Sequence, residues 1–265
     1  MMLSVQDLSF GYGRKTVGSH VGFDLHAGEV LCLLGPNGSG KTTLMKTLLG
    51  LLPAKGGTLT LDGRPLAAWS DRERAARIAY VPQAANIFFP FTVREVVLMG
   101  RAPRIDLFAT PSAADRRLAD AALDLLGIAH LAERRCDEIS GGERQLASIA
   151  RALAQEPRVL VMDEPTASLD FGNRIKLLER IRGLAATGVA TLFSTHAPDE
   201  AFFSADRVVL LRRGGLLAVG APTEVITAAN MRTLYDIDVE VAYVDALKQY
   251  VCTPSIPSPR TGDRP

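Results

Sequence analysis

No apolar run in this chain approaches the roughly 18–20 residues that a bilayer-crossing helix needs, so the protein is not expected to span a membrane by itself. Cysteine is scarce. Cys32, Cys136 and Cys252 have no CxxC spacing, which argues against a zinc site. An odd, scattered set suits a reducing compartment. A charge excess of one sign is missing too: 30 Lys and Arg stand against 29 Asp and Glu, a net charge of +1. That balance gives no electrostatic case for nucleic acid as the main partner. The opening MMLSVQDLSF has no basic segment followed by an apolar core, so no secretion signal is expected. Internal repeats and coiled-coil heptads are absent as well, which excludes a solenoid.

What is present is a globular composition. Of 265 residues, 47% are hydrophobic and 22% charged, enough to bury one large core or two small ones. Short apolar runs bounded by Gly, Asp or Pro predict strands at Leu3–Leu8, Val30–Leu34, Thr58–Leu61, Ile78–Val81, Val159–Met162, Ala190–Ser194, Val208–Leu211 and Leu216–Val219. Helical spacing predicts helices at Lys41–Leu52, Ala113–Leu126, Glu143–Ala154, Arg174–Ala186 and Thr223–Thr227. Strand followed by helix, repeated, is the pattern of an α/β fold with a mainly parallel sheet. Between about residues 88 and 155 the alternation stops and only helical patterns remain, which predicts a helical subdomain inserted into the core. The final TPSIPSPRTGDRP (Thr253–Pro265) is rich in Pro and Ser. A flexible tail over 245–265 is expected there, with one domain over 1–244.

Between two apolar runs lies GPNGSGKTT: Gly35, Pro36, Asn37, Gly38, Ser39, Gly40, Lys41, Thr42 and Thr43. Its first eight residues match the P-loop pattern G-x-x-x-x-G-K-[ST]. Glycines let the backbone wrap close to an anion. The amide hydrogens form a nest, and the following helix adds its N-terminal N–H groups. Lys41 brings a positive charge to the β- and γ-phosphates, and Thr42 offers a hydroxyl to Mg²⁺. A strand-to-helix turn is the right place for that chemistry, so a nucleotide with Mg²⁺ is the expected ligand.

A second signal is VLVMDE (Val159–Glu164), an apolar strand ending in two carboxylates. Read alone, this is also how a strand ends in a solvated acidic turn. In a chain with a P-loop it reads differently, because doubly wound sheets bind ligands beyond the C-terminal strand ends. Asp163 then reaches the Mg²⁺ shell, and Glu164 faces the γ-phosphate to hold or deprotonate the attacking water.

ISGGERQ (Ile139–Gln145) resembles the signature motif of ATP-binding-cassette (ABC) ATPases, usually LSGGQ. The order of P-loop, post-strand Gln, signature, acidic strand end and post-strand His is similar to that family from about Leu3 to Val244. The resemblance implies a P-loop core with an N-terminal antiparallel β portion and an inserted helical subdomain. It implies that Ser140, Gly141, Gly142 and Glu143 open a helix that contacts ATP held by a second copy of the chain. It further implies that Tyr12 stacks on adenine and that Gln83 reaches Mg²⁺ and the water. Ser168, Leu169 and Asp170 would form the loop that crosses to the opposing subunit, and His196 would be the switch histidine near the γ-phosphate. Two departures are visible. Ile139 keeps the apolar anchor of Leu. Glu143 replaces Gln, which supports the helix start through its dipole but sets a carboxylate where phosphate is expected.

By the same resemblance the chain is a homodimeric ATPase serving an importer, at the cytoplasmic face of the cell membrane. Integral permease subunits would dock near Gln83–Arg101, where Phe88, Phe89 and Phe91 cluster beside the nucleotide sensor. VREVVLMGR and PTEVITAANMRTLYDIDVEV look like ATPases of importers for iron–siderophores, haem and cobalamin, with a molybdate subgroup also similar. The permease and a separate substrate-binding protein would select the cargo. The alternative is a soluble cassette ATPase acting on nucleic acid or ribosomes. A third possibility, a regulator that binds ATP without turnover, sits poorly with the presence of both Lys41 and Glu164.

Overall fold

A strand apolar at every position must be covered on both faces. Val30–Leu34 meets that condition, with all five residues buried. Its side chains alternate between two cores: Val30, Cys32 and Leu34 enter one, Leu31 and Leu33 the other. In this computed structural model, which describes residues 1–83, 90–106 and 108–255, that strand is central to the architecture.

The chain runs β1 (Leu3–Tyr12), β2 (Lys15–Leu25), β3 (Val30–Leu34), α1 (Lys41–Leu48), β4 (Gly56–Leu61), β5 (Arg64–Pro65), α2 (Asp71–Ala75) and β6 (Ile78–Val81). It continues through α3 (Val93–Leu98), α4 (Ala113–Leu125), α5 (Gly141–Ala154), β7 (Val159–Met162), α6 (Phe171–Ala186), β8 (Ala190–Thr195) and α7 (Pro198–Ser204). It closes with β9 (Arg207–Arg212), β10 (Gly215–Gly220), α8 (Pro222–Val225), α9 (Ala228–Tyr235), β11 (Val239–Val244) and β12 (Gln249–Pro254).

A six-stranded sheet has the order β10-β9-β3-β8-β7-β6, and only β10 pairs antiparallel within it. A four-stranded antiparallel sheet, β2-β1-β4-β5, lies across α1. Leu44, Met45 and Leu48 of α1 share one core with Phe10, Val21, Phe23 and Leu61 of that sheet. The opposite face of the large sheet packs on α5, α6 and α7 and on α9. Cys32 is buried in this second core, and burial pushes its thiol pKa up. It behaves as a small apolar residue, as expected of a Cys in an apolar strand.

Several elements differ from the sequence-based expectation. β2 was not predicted: Ser19 breaks the apolar alternation of Val17, Val21, Phe23 and Leu25, Gly18, His20 and Gly22 fill the other face, and its pairing with β1 shifts register three times. Glycine is required there, because a Cβ on Gly18 would lie 2.2 Å from the Gly214 carbonyl oxygen and 2.3 Å from the Phe10 ring. The helix expected over Lys41–Leu52 ends at Leu48, and Gly50 leaves it at φ +72°. Between 90 and 155 the described residues hold helices and one isolated bridge, Thr92 to Arg135. Within 245–265, where a flexible tail is expected, the described residues include a strand. Gln249–Pro254 pairs antiparallel with Val239–Val244, Val244 opposite Gln249 and Val239 opposite Pro254. Phe88 and Phe89 lie outside the described residues.

Candidate active site

Sheet register brings the motifs together. Leu34 pairs with Thr195, Met162 with Phe193, and Val81 with Met162. The chain leaving each of these strand ends therefore opens onto one edge. Gly35 follows β3, His196 follows β8, Asp163 and Glu164 follow β7, and Gln83 lies two residues beyond β6. Four segments spread from Gly35 to His196 meet there because parallel strands align their C-terminal ends.

The loop from Gly35 to Gly40 is built as its composition requires. Gly38 and Gly40 have φ of +78° and +102°, the second far from any conformation an L-residue adopts readily. A Cβ on Gly38 would meet nothing within 4 Å, so this part of the loop borders open space. Helix α1 starts directly after it, with Gly40 as N-cap and no side-chain cap; its first N–H groups are available to an anion. Lys41 is buried, and its Nζ donates to the carbonyls of Gly35 (2.7 Å) and Pro36 (3.2 Å). Ser39 Oγ is buried with no hydrogen-bond partner among the described residues.

Two buried carboxylates face this loop. Asp163 accepts from Thr42 Oγ1 at 2.6 Å and from Ser194 Oγ at 2.6 Å. Glu164 gathers three side chains: Lys41 Nζ at 3.4 Å, Gln83 Nε2 at 3.0 Å and His196 Nδ1 at 3.4 Å. The Glu164 backbone sits at φ +44°, a strained conformation for a residue with a Cβ, and its N–H donates to Ser194 Oγ at 2.9 Å. Such strain persists only where surroundings over-determine it, and here the hydroxyl of β8 supplies the anchor. Tyr12 is at the rim, 44% exposed, with its hydroxyl 3.5 Å from Thr43 Oγ1. The oxygen donors of Thr42, Asp163 and Gln83 are the hard-ligand set that suits Mg²⁺.

The signature residues stand apart from this cluster. Ser140 caps α5: its Oγ accepts from Glu143 N at 3.2 Å, while Glu143 Oε2 accepts from Ser140 N at 2.7 Å. This reciprocal pair is a capping box. Hydrogen bonds from the Ser140 backbone and hydroxyl hold the Glu143 carboxyl below its usual range. The departure from Gln thus has a local explanation: the carboxylate folds back onto the helix start. Ser140 and Gly141 are exposed. A Cβ on Gly142 would approach Leu169 Cδ2 at 3.3 Å and Ser168 O at 3.4 Å, so the helix start lies against the loop at 168–170. Asp170 caps α6, accepting from Asn173 N at 2.9 Å. Among the described residues, Ser140–Glu143 and Asp170 share no hydrogen bond with the Lys41–Glu164 cluster.

Three contributors escaped the sequence reading. Ser194 joins the Asp163 carboxylate to the Glu164 backbone N–H, and its only signal was a hydroxyl at the end of a buried strand. Glu200, 6% exposed, accepts from Thr195 Oγ1 (2.7 Å) and Thr166 Oγ1 (3.1 Å). It ties the segment after β7 to the end of β8. Tyr235 reaches the loop after β8 from α9, donating to the His196 carbonyl oxygen at 2.8 Å.

The ABC transporter family profile matches residues 19–167. An uncharacterized ABC transporter ATP-binding protein of Haemophilus influenzae is 44% identical over 243 residues, 92% of each chain. The hemin import ATP-binding protein HmuV of Bradyrhizobium diazoefficiens is 40% identical over 254 residues, covering 93% of this chain and 92% of that one. Among solved structures, a chain of a transporter described as metal-chelate type, in an inward-facing conformation, superposes with a TM-score of 0.84 at 32% identity. That match covers 96% of this chain and 98% of the other. The chain belongs to the ABC transporter family, as its nucleotide-binding, ATP-hydrolysing component.

Proposed function

We propose that this chain is the ATPase of an importer for a metal chelate of the haem, iron–siderophore or cobalamin kind, or for a molybdate-type oxyanion, working as a homodimer beneath separate permease subunits at the cytoplasmic face of the membrane. The observation that carries the ATPase assignment is the convergence of Lys41, Gln83 and His196 on the Glu164 carboxylate, at 3.4, 3.0 and 3.4 Å. Near-full-length similarity to hemin import ATPases and to a metal-chelate type transporter supports the importer class. The near-neutral charge gives no support to the nucleic-acid alternative.

Gly35–Thr43 would cradle the triphosphate, with Lys41 against its β- and γ-phosphates and Tyr12 against adenine. Thr42, Asp163 and Gln83 would hold Mg²⁺, which neutralises phosphate charge when bound. Glu164 takes or orients the proton of the attacking water, and Gln83 and His196 fix the orientation of its carboxylate. The helix start at Ser140–Glu143, exposed in one protomer, offers N–H groups to the nucleotide of the other, with Asp170 at the crossing loop. Permease docking would use the surface over 83–101. A groove of about 380 Å³ lies there, lined by Glu95, Leu98, Met99, Ala102 and Ile105 among others. Its apolar floor and acidic rim suit a short helix of a membrane partner.

Glu164→Gln tests the reading. It keeps the size of the side chain and removes the base. Hydrolysis should fall by about a hundredfold or more with ATP affinity kept and an ATP-dependent dimer accumulating on size exclusion. Normal turnover by this variant would end the assignment.

A further inference from the structure

The C-terminal segment grips the switch loop from behind. Tyr235, the last residue of α9, donates its phenol hydrogen to the His196 carbonyl oxygen at 2.8 Å. Two residues on from His196, α7 begins, and β12 lies along it. The Cys252 N–H donates to Asp199 Oδ1 at 3.0 Å. The Phe202 and Tyr250 rings stack at 5.5 Å with 19° between their planes, and Tyr243 meets Tyr250 edge-on at 5.2 Å. Three separate contacts thus join residues 235–252 to the stretch 196–202.

The front of the switch loop is held differently. Thr195 Oγ1 donates to buried Glu200 and accepts from the Ala197 N–H at 3.1 Å. The second bond holds the His196–Ala197 peptide by its N–H. The carbonyl of His196 itself is held by Tyr235, and the imidazole is half exposed, touching Glu164 at 3.4 Å. Burial pushes the Tyr235 phenol pKa up, so it stays a neutral donor. An imidazole aimed at a reacting phosphate needs its backbone fixed to a fraction of an ångström, since displacement by about 1 Å costs on the order of a hundredfold in rate.

We propose that Tyr235 is a positioning residue for hydrolysis, acting through the His196 carbonyl, and that the β11–β12 hairpin is the brace that keeps α7 and this contact in place. The inference rests on the reading that His196 serves hydrolysis of ATP.

Tyr235→Phe removes one hydroxyl and keeps the ring packed. Purified Tyr235→Phe, His196→Ala and parent protein would be compared for kcat, for affinity toward ADP and for melting temperature. Expected is a fall in kcat of about tenfold for Tyr235→Phe, with ADP affinity within twofold of the parent, melting within about 5 °C, and a larger fall for His196→Ala. A Tyr235→Phe enzyme with kcat within twofold of the parent, beside an impaired His196→Ala, overturns this inference alone. A kcat loss accompanied by weaker ADP binding or lower melting also overturns it, because Tyr235 would then be supporting the fold at large. Unimpaired turnover in His196→Ala overturns both this inference and the reading beneath it.

Discussion

Ser194 stands between the two acidic residues of the site, its hydroxyl donating to Asp163 Oδ1 at 2.6 Å. The same oxygen accepts the Glu164 N–H at 2.9 Å. One side chain on β8 therefore sets the orientation of Asp163 and secures the strained backbone of Glu164, both on the segment leaving β7. Ser194→Ala leaves a buried carboxylate oxygen and a buried N–H without this partner. Stability should fall by about 1–3 kcal/mol, and kcat by roughly tenfold through loss of alignment. Urea unfolding and steady-state ATPase assays check the two effects. Parent-like values in both would show that Ser194 anchors neither the Asp163 carboxylate nor the Glu164 backbone.

Arg101 pins the helical region to the core. It is 6% exposed. Its guanidinium donates to Asp115 at 2.9 Å, to the Ala154 carbonyl at 2.7 Å and to Glu156 at 2.9 Å. These bonds join α4 to the C-terminal end of α5. Arg101→Ala removes the shared donor and should cost on the order of 3 kcal/mol. Arg101→Lys should recover only part of it, since an ammonium lacks the planar fork. Thermal melting ranks the variants, and equal melting of Lys and Ala forms would contradict the fork geometry.

Glu143 makes folding at acid pH sensitive to the signature helix. Its folded carboxyl pKa is held down by Ser140. Such a group contributes stability that is fully present above the unfolded value, about 4.3 for Glu, and is lost as pH falls through the lower folded value. Glu143→Gln keeps an acceptor for the Ser140 N–H but cannot titrate. The stability difference between parent and Glu143→Gln should therefore shift toward the variant as pH drops below about 4. Denaturant midpoints from pH 3 to 6 measure it, and curves that stay parallel would show that the capping box carries no titrating contribution.

Much of the site was legible in the sequence because its residues occupy strand ends. GPNGSGKTT after VLCLL, and DE after VLVM, are local patterns in which side-chain type and neighbouring periodicity point to one chemistry. The predicted helix starts lie within three residues of the observed ones, but α2, α3, α7 and α9 were not predicted. α5 begins at Gly141, two residues before the expected Glu143, because Ser140 and Glu143 close a capping box that the apolar spacing does not register. β2 and β12 were not legible. β2 carries glycines where its neighbours approach and has only the short alternation Val21, Phe23 and Leu25, and β12 is exposed at four of its six positions, with no buried apolar face to mark it.

What the sequence by itself determined is the phosphate loop, the acidic strand end and the alternation that makes a parallel sheet. Each depends on interactions within a few residues, so each leaves a local trace. The tertiary structure decided which groups act together. The contact of Ser194 with Asp163, the two hydroxyls on Glu200 and the grip of Tyr235 on His196 join residues brought together only by β-sheet register and helix packing. Hydrogen bonds of this kind are set by distances of a few ångströms between distant segments, and no single stretch of chain encodes a distance.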